Sequence, residues 1–199
     1  MAVEIEKKYR LPDERKQEFL NSLHEVGAEF QGEDLEENVI YGGGTLAKVG
    51  GALRIRKTQD QTLLTFKKRI PNSTGAKHQL EHETQISDAE SLDLIIRELG
   101  MKPAVLYEKR RKKWNFRSVE IVLDELPFGW FIEIEGSLTA ILEAEMRLGI
   151  DDLEVEHRTY PTLTRELGST NGSITEARFT EHSIDHSRSG SDSGDPVSP

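Results

Sequence analysis

The charged residues of this chain recur at a spacing that carries more information than their number. Glu4, Glu6 and Lys8 lie two residues apart, so on an extended strand all three project from one face. The same step returns in Arg54 and Arg56, in Thr65, Lys67 and Arg69, and in Glu81 and Glu83. It returns again in Lys109 and Arg111, with Lys113 beyond, and in Glu133 and Glu135, while Asp124 ends the run that carries Ile121 and Leu123. Carboxylates offer oxygen ligands suited to Mg2+ or Mn2+, hard ions that retain waters and bind phosphate oxygens. Arginine and lysine hold the remaining phosphate oxygens, arginine in a bidentate fork. A surface with both sets fits a metal-bound polyphosphate.

An ordinary half-solvated antiparallel sheet also alternates charged and apolar residues. For a single pair such as Glu4 and Glu6 that is the simpler account, with cross-strand Glu–Arg and Glu–Lys pairs explaining the mixture. It does not require the charged face to recur on almost every strand, built of Glu, Lys and Arg rather than Thr, Ser and Gln. A barrel with a charged interior does, together with helices whose apolar stripes cover its outside. The charges of such a lumen are desolvated and need partners.

The elements that would position these residues can be read along the chain. Val3 to Leu11 is a strand with one wholly charged face. Pro12 and Asp13 open a helix to about Val26, and Gly27 stops it. Asn38 to Tyr41 is a short strand before a Gly42-Gly43-Gly44 turn, and Ala52 to Thr58 with Thr62 to Arg69 forms a hairpin around Asp60-Gln61. A polar loop from Pro71 to Lys77 leads to a strand from Gln79 to Ile86. Ser87 with Glu90 forms a capping box ahead of a helix that ends at Gly100. Strands follow at about Ala104 to Phe116, Val119 to Leu123 and Trp130 to Glu135, with a turn from Asp124 to Gly129. Ser137 caps a helix to about Leu148, and a weaker helix covers Tyr160 to Leu167. The reading is an α+β protein: a closed or nearly closed antiparallel β-barrel with flanking helices. Residues 1–167 form the barrel domain, and 168–199 a Ser/Gly-rich tail expected to be disordered.

Length and composition agree with one domain. The 199 residues are enough to bury a core, no apolar run approaches the ~20 residues of a membrane helix, and the charged N-terminus does not read as a secretory signal. There is no cysteine, hence no thiolate ligand or nucleophile; cytoplasmic residence is the default. A net charge of -10 argues against nucleic acid as the partner. Basic residues nevertheless cluster at Arg54 to Arg69 and Lys102 to Arg117, which suits a small, highly charged anion. The six histidines show no ligand spacing, Gly42 to Gly44 lacks the ending of a phosphate loop, and Trp114, Phe116, Phe128, Trp130 and Phe131 read as core.

In this order the residues resemble the CYTH family, the triphosphate tunnel metalloenzymes. Its Glu-x-Glu-x-Lys hallmark stands here as Glu4-Ile5-Glu6-Lys7-Lys8. It is followed by Leu53-Arg54-Ile55-Arg56, Thr65-Phe66-Lys67, Glu81-His82-Glu83, Lys109-Arg110-Arg111, and Asp124 before Phe131-Ile132-Glu133-Ile134-Glu135-Gly136. The resemblance covers roughly Ala2 to Leu167. It implies an eight-stranded antiparallel barrel whose tunnel binds a triphosphate with Mg2+ or Mn2+. Glu4, Glu6, Glu133 and Glu135 would approach the metal, and Lys8, Arg54, Arg56, Lys67, Lys109 and Arg111 would grip the phosphates. Asp124, Glu81 and Glu83 would support the metal or complete the charge network; Glu4, Glu6, Lys8, Lys67, Glu133 and Glu135 make the catalytic set.

Two departures stand out. Many members carry Phe-Asp or Tyr-Asp in the second strand, whereas Tyr41 is followed here by Gly42, so Tyr41 reads as packing rather than as a partner to a lysine. The His-Phe-containing segment with which some bacterial adenylyl cyclases of the family begin is also missing. The leading expectation is a metal-dependent triphosphatase acting on inorganic triphosphate, thiamine triphosphate or a nucleoside triphosphate. A class IV adenylyl cyclase is second and a non-catalytic polyphosphate- or nucleotide-binding module third. Expected partners are the small-molecule substrate and, from family habit, a second copy in a homodimer, without nucleic acid or membrane.

Overall fold

A computed structural model of the chain describes residues 3–71 and 77–180, with the side chains of Val3, Glu4 and Lys77 outside the description. The strands are β1 (Val3–Leu11), β2 (Glu29–Gly42), β3 (Gly51–Lys57), β4 (Thr62–Ile70), β5 (Lys77–Ile86), β6 (Lys102–Phe116), β7 (Val119–Leu126) and β8 (Gly129–Glu135). They follow the order β2-β3-β4-β5-β1-β8-β7-β6, and β2 pairs with β6 to close the ring. Every pairing within this ring is antiparallel. It is the eight-stranded barrel expected, and its closure removes the sheet edges.

Apolar residues on the outer face explain why helices cover it. α1 (Lys16–Glu25), entered through a 3-10 turn at Asp13–Arg15, and α4 (Leu138–Leu148) bury Phe19, Leu23, Ile141 and Leu148 against Tyr9, Ile121, Ile132 and Ile134. α2 (Gly44–Val49) and α3 (Ala89–Glu98) bury Leu46 and Ile96 with Tyr41 and Ile55. A third cluster lies inside one end of the barrel, because Phe131 and Tyr107 share the phase of Glu133 and Lys109. There α5 (Tyr160–Leu167) seats Tyr160 and Leu163 against Ile40, Val105, Tyr107 and Phe131.

Several elements differ from the sequence reading. The short strand at Asn38 is the end of a 14-residue strand, β2. Its earlier part showed no apolar alternation because both faces carry charge: Glu33 pairs outward with Lys112 at 3.4 Å and Glu37 with Arg178 at 2.9 Å. The turn placed at Asp124 begins later, since β7 runs on to Leu126 and carries Asp124 opposite Phe131. The glycine turn leads into α2, and the cap of α3 is Asp88, which accepts from Ser91 N at 2.9 Å, rather than a Ser87 box. Within the stretch 168–199 expected to be a disordered tail, β9 (Ser169–Asn171) and β10 (Ile174–Ala177) extend the sheet, β10 running parallel to β6 at Val105–Tyr107. The expected polar loop at 72–76 and the tail at 181–199 lie outside the described residues.

Candidate functional site

The lumen encloses a cavity of about 940 Å3. Glu6, Lys8, Arg54, Arg56, Lys67, Glu81, Glu83, Lys109, Arg111, Glu133 and Glu135 line it, and Asp124 bonds to two of them from the wall. Glu4 sits in β1 opposite Gln79, its side chain outside the description. The residues divide into two groups of opposite character.

The first group is cation-rich. Arg111 donates to Asp124 at 2.7 and 2.6 Å and to Glu133 at 2.7 Å, while Lys109 reaches Asp124 at 3.2 Å and Glu36 at 3.4 Å. Arg56 bonds Glu83 at 2.7 Å and Glu36 at 3.5 Å, and Arg54 bonds Thr65 at 3.2 Å. The Lys8 ammonium lies 3.9 Å from Glu133 and 4.0 Å above the centre of the Tyr160 ring. Burial alone would raise the pKa of Glu36, but Lys109, Arg111 and Arg56 outweigh it and hold the carboxyl well below the usual range. Glu133 is lowered in the same way: burial and Glu6 push it up, and Arg111, Lys8 and Lys109 prevail. Burial and neighbouring Arg111 lower the Lys109 pKa against the pull of Asp124 and Glu36. Two guanidinium donors, Arg54 Nε and Arg56 Nε, are buried with no hydrogen-bond partner among the described residues.

The second group is acid-rich, and strand register builds it. Glu135 pairs with Glu6 across β1 and β8 and with Glu120 across β7 and β8. Three carboxylates therefore stand in one row on three adjacent strands. Lys67 forms an ion pair with Glu81 beside them, and Lys113 meets Glu120 at 3.3 Å from the rim. Burial, then Glu120 and Glu6, raise the pKa of Glu135, and Lys67 offsets only part of this. Among the described residues no three acidic or histidine side chains already converge into a coordination set. A hard divalent ion keeps several waters and takes substrate oxygens as ligands, so it needs only one or two protein carboxylates. The all-oxygen donor set and the unbalanced negative charge at Glu135 fit such an ion.

The structure separates Glu133, which sits with the cations, from Glu135, which sits with the acids. Both Asp124 oxygens accept bonds from Arg111, and Oδ2 also accepts from Lys109 and the Tyr160 hydroxyl, the latter at 2.8 Å. Asp124 thus completes the charge network. Tyr41 turns outward, donating to Asp93 of α3 at 2.5 Å.

Three residues escaped the sequence reading. Glu36, only 2% exposed, shares the parity of Asn38, and Glu120 that of Asp124, but charge on the opposite face of β2 and Val122 on β7 hide both. Tyr160 gives no local signal, since nothing in its neighbourhood says that it enters the lumen.

A closed antiparallel barrel with a charged lumen has counterparts among known proteins. The family model described as the CYTH domain matches residues 2–161, and the chain belongs to that family. It is similar to PH1012 from Pyrococcus horikoshii OT3, with 25% identity, 80% of this chain and 98% of that one covered, and a TM-score of 0.70. PH1819 from the same organism is 27% identical, covering 82% and 99%, with a TM-score of 0.67. HpAC1 from Hippeastrum, described as an adenylyl cyclase candidate with a dominant triphosphatase activity, is 21% identical over 82% and 95%, with a TM-score of 0.60, a likeness of fold. Among curated proteins none matches the chain. No helix among the described residues is long and apolar enough to cross a membrane.

Proposed function

We propose that the chain is a divalent-metal-dependent triphosphatase that hydrolyses a small triphosphate inside its barrel. The observation that carries this reading is the division of one lumen into a cation group and an adjoining acid row, Glu6–Glu135–Glu120. Lys8, Arg54, Arg56, Lys67, Lys109 and Arg111 bind the phosphate oxygens, and the orphaned Nε donors of Arg54 and Arg56 gain acceptors there. Glu36, Glu83, Asp124 and Glu133 hold these cations in place before substrate arrives, so little reorganisation remains at the moment of reaction. Glu6 and Glu135, with Glu4 added on its sequence spacing alone, would hold Mg2+ or Mn2+. Such an ion supplies charge neutralisation on the phosphate oxygens and lowers the pKa of a bound water. The apolar layer of α5, Phe131 and Ile40 excludes water from one end of the barrel and strengthens each ion pair within.

The test is phosphorus NMR of the protein incubated separately with inorganic triphosphate, thiamine triphosphate and ATP, each with Mg2+ and with Mn2+. Orthophosphate with a diphosphate product is the expected outcome, and the fastest reaction names the substrate. Pyrophosphate with a cyclic nucleotide from ATP would replace the hydrolase with an adenylyl cyclase. No change in any tube would leave a binding tunnel without catalysis.

A further inference from the structure

Tyr160 occupies a position that the phosphate-binding set alone does not account for. It is the first residue of α5, whose N-cap Thr159 accepts from Thr162 N at 3.3 Å and whose second residue is Pro161. Leu163, fully buried one turn on, anchors the helix in the apolar end of the lumen. The ring is locked by aromatic neighbours, Phe131 edge-on at 5.4 Å and 76°, and Tyr107 at 6.1 Å and 53°. Its face looks at two buried ammonium groups, Lys8 Nζ at 4.0 Å and Lys109 Nζ at 5.3 Å from the centroid. Its hydroxyl donates to Asp124 Oδ2 at 2.8 Å, the same oxygen that Lys109 and Arg111 use.

An ammonium group removed from water needs compensation. A carboxylate provides it but adds negative charge, which competes with or repels an incoming polyanion. The negative face of an aromatic ring attracts the cation without carrying net charge. At Lys8 the ring centre, at 4.0 Å, is about as close as the Glu133 carboxylate oxygen at 3.9 Å. We infer that Tyr160 is a positioning residue for the phosphate-binding lysines: its ring seats Lys8 and Lys109, and its hydroxyl fixes the Asp124 that orients Lys109 and Arg111. Through this one residue α5 sets the geometry of the cation group. The inference rests on the triphosphate reading above.

The test is titration calorimetry of the full chain with inorganic tripolyphosphate in EDTA, which reads the cation set without turnover or metal. Tyr160→Leu should weaken binding on the order of tenfold and Tyr160→Phe by about threefold or less, since phenylalanine keeps the ring. In a Lys8→Met background the Tyr160→Leu loss should shrink to about threefold or less, because a double-mutant cycle isolates what the ring does through that lysine. A merely structural role predicts the same loss in both backgrounds, and that result overturns the inference, as does a Phe variant as weak as the Leu variant. Should Tyr160→Leu not fold, pentafluorophenylalanine at position 160, compared with phenylalanine, keeps the shape while removing the negative ring face. A severalfold weakening supports the ring seat, and equal affinity overturns it. Wild-type protein that binds tripolyphosphate neither in EDTA nor with added Mg2+ overturns the triphosphate reading and this inference together. Wild type that binds, with variants indistinguishable from it, overturns the inference alone.

Discussion

The two halves of the lumen use the same residue types and reach opposite electrostatic states. Around Arg111 each buried carboxylate meets a cation: Asp124 and Glu133 bond to Arg111 itself, and Glu36 lies between Lys109 and Arg56. The pKa shifts record this balance, with Glu36 and Glu133 both lowered despite burial. One strand step away, Glu135 faces Glu6 and Glu120 across its two neighbours and is raised. The cation group pairs its buried carboxylates within the fold, whereas Glu135 keeps like charges on both neighbouring strands that Lys67 offsets only in part. A fold that leaves like charges adjacent in a lumen gives up stability there, as binding sites commonly do.

The largest expected effect breaks the acid half. Glu135→Gln or Glu6→Gln should lower turnover of the preferred triphosphate on the order of 10²–10³-fold, measured as phosphate release. Because Glu135 has a raised folded pKa, its ionised form weakens the fold at pH values above that pKa. Neutralising it should therefore leave the melting temperature of the metal-free protein unchanged or higher, and Mg2+ should stabilise the variant less than wild type. Full activity in both variants would sink the assignment of the metal to this row.

A smaller effect is expected in the cation half, and it falls on stability and its pH dependence. Glu36 has a lowered pKa, so its contribution is fully present above the ordinary carboxylate range and is lost as pH falls through the folded value. Glu36→Gln leaves Lys109 and Arg56 with less compensation in a site only 2% exposed at Glu36. The variant should lose about 3 kcal/mol at neutral pH by denaturant unfolding, and its stability should fall less steeply than that of wild type on acidification. Parallel acid limbs would show that Glu36 is not the group whose charge the cations hold.

How much of this contrast the sequence discloses depends on what faces outward on each strand. β8 was legible because Ile132 and Ile134 point into the outer core while Glu133 and Glu135 face the lumen, and β3 repeats the pattern with Ile55 against Arg54 and Arg56. β2 was not, since its outward Glu37 finds its partner in Arg178, 141 residues away. A strand charged on both faces has no period to read. On β7 the lumen face mixes Glu120 and Asp124 with Val122, so the charged step is interrupted and Glu120 passes for an isolated surface residue. The barrel therefore follows from local patterning, and the split of the site into two groups follows only from register. The parallel pairing of β10 to β6 involves a strand of four residues, too short to leave a pattern.

The smallest expected effect tests whether the lumen is where the chemistry ends. Tyr41 lies on β2 beyond Ile40, and its parity differs from that of Glu36, Asn38 and Ile40, which face inward. Its ring packs with Ile55, Ile96 and Met101, and its hydroxyl donates to Asp93 on α3. Burial, then the bond to Asp93, raises its pKa, so the hydroxyl stays protonated and serves as a donor rather than a base. Tyr41→Phe keeps the packing and removes one hydrogen bond to a carboxylate that also accepts from Arg97 at 2.7 Å. The loss should be about 1 kcal/mol of stability by denaturant unfolding, with kcat and KM within about twofold of wild type because no lumen group depends on that bond. A large fall in kcat at unchanged stability would bring the tyrosine into the reaction, and with it the outer face of β2 that the present division of the barrel keeps apart from catalysis.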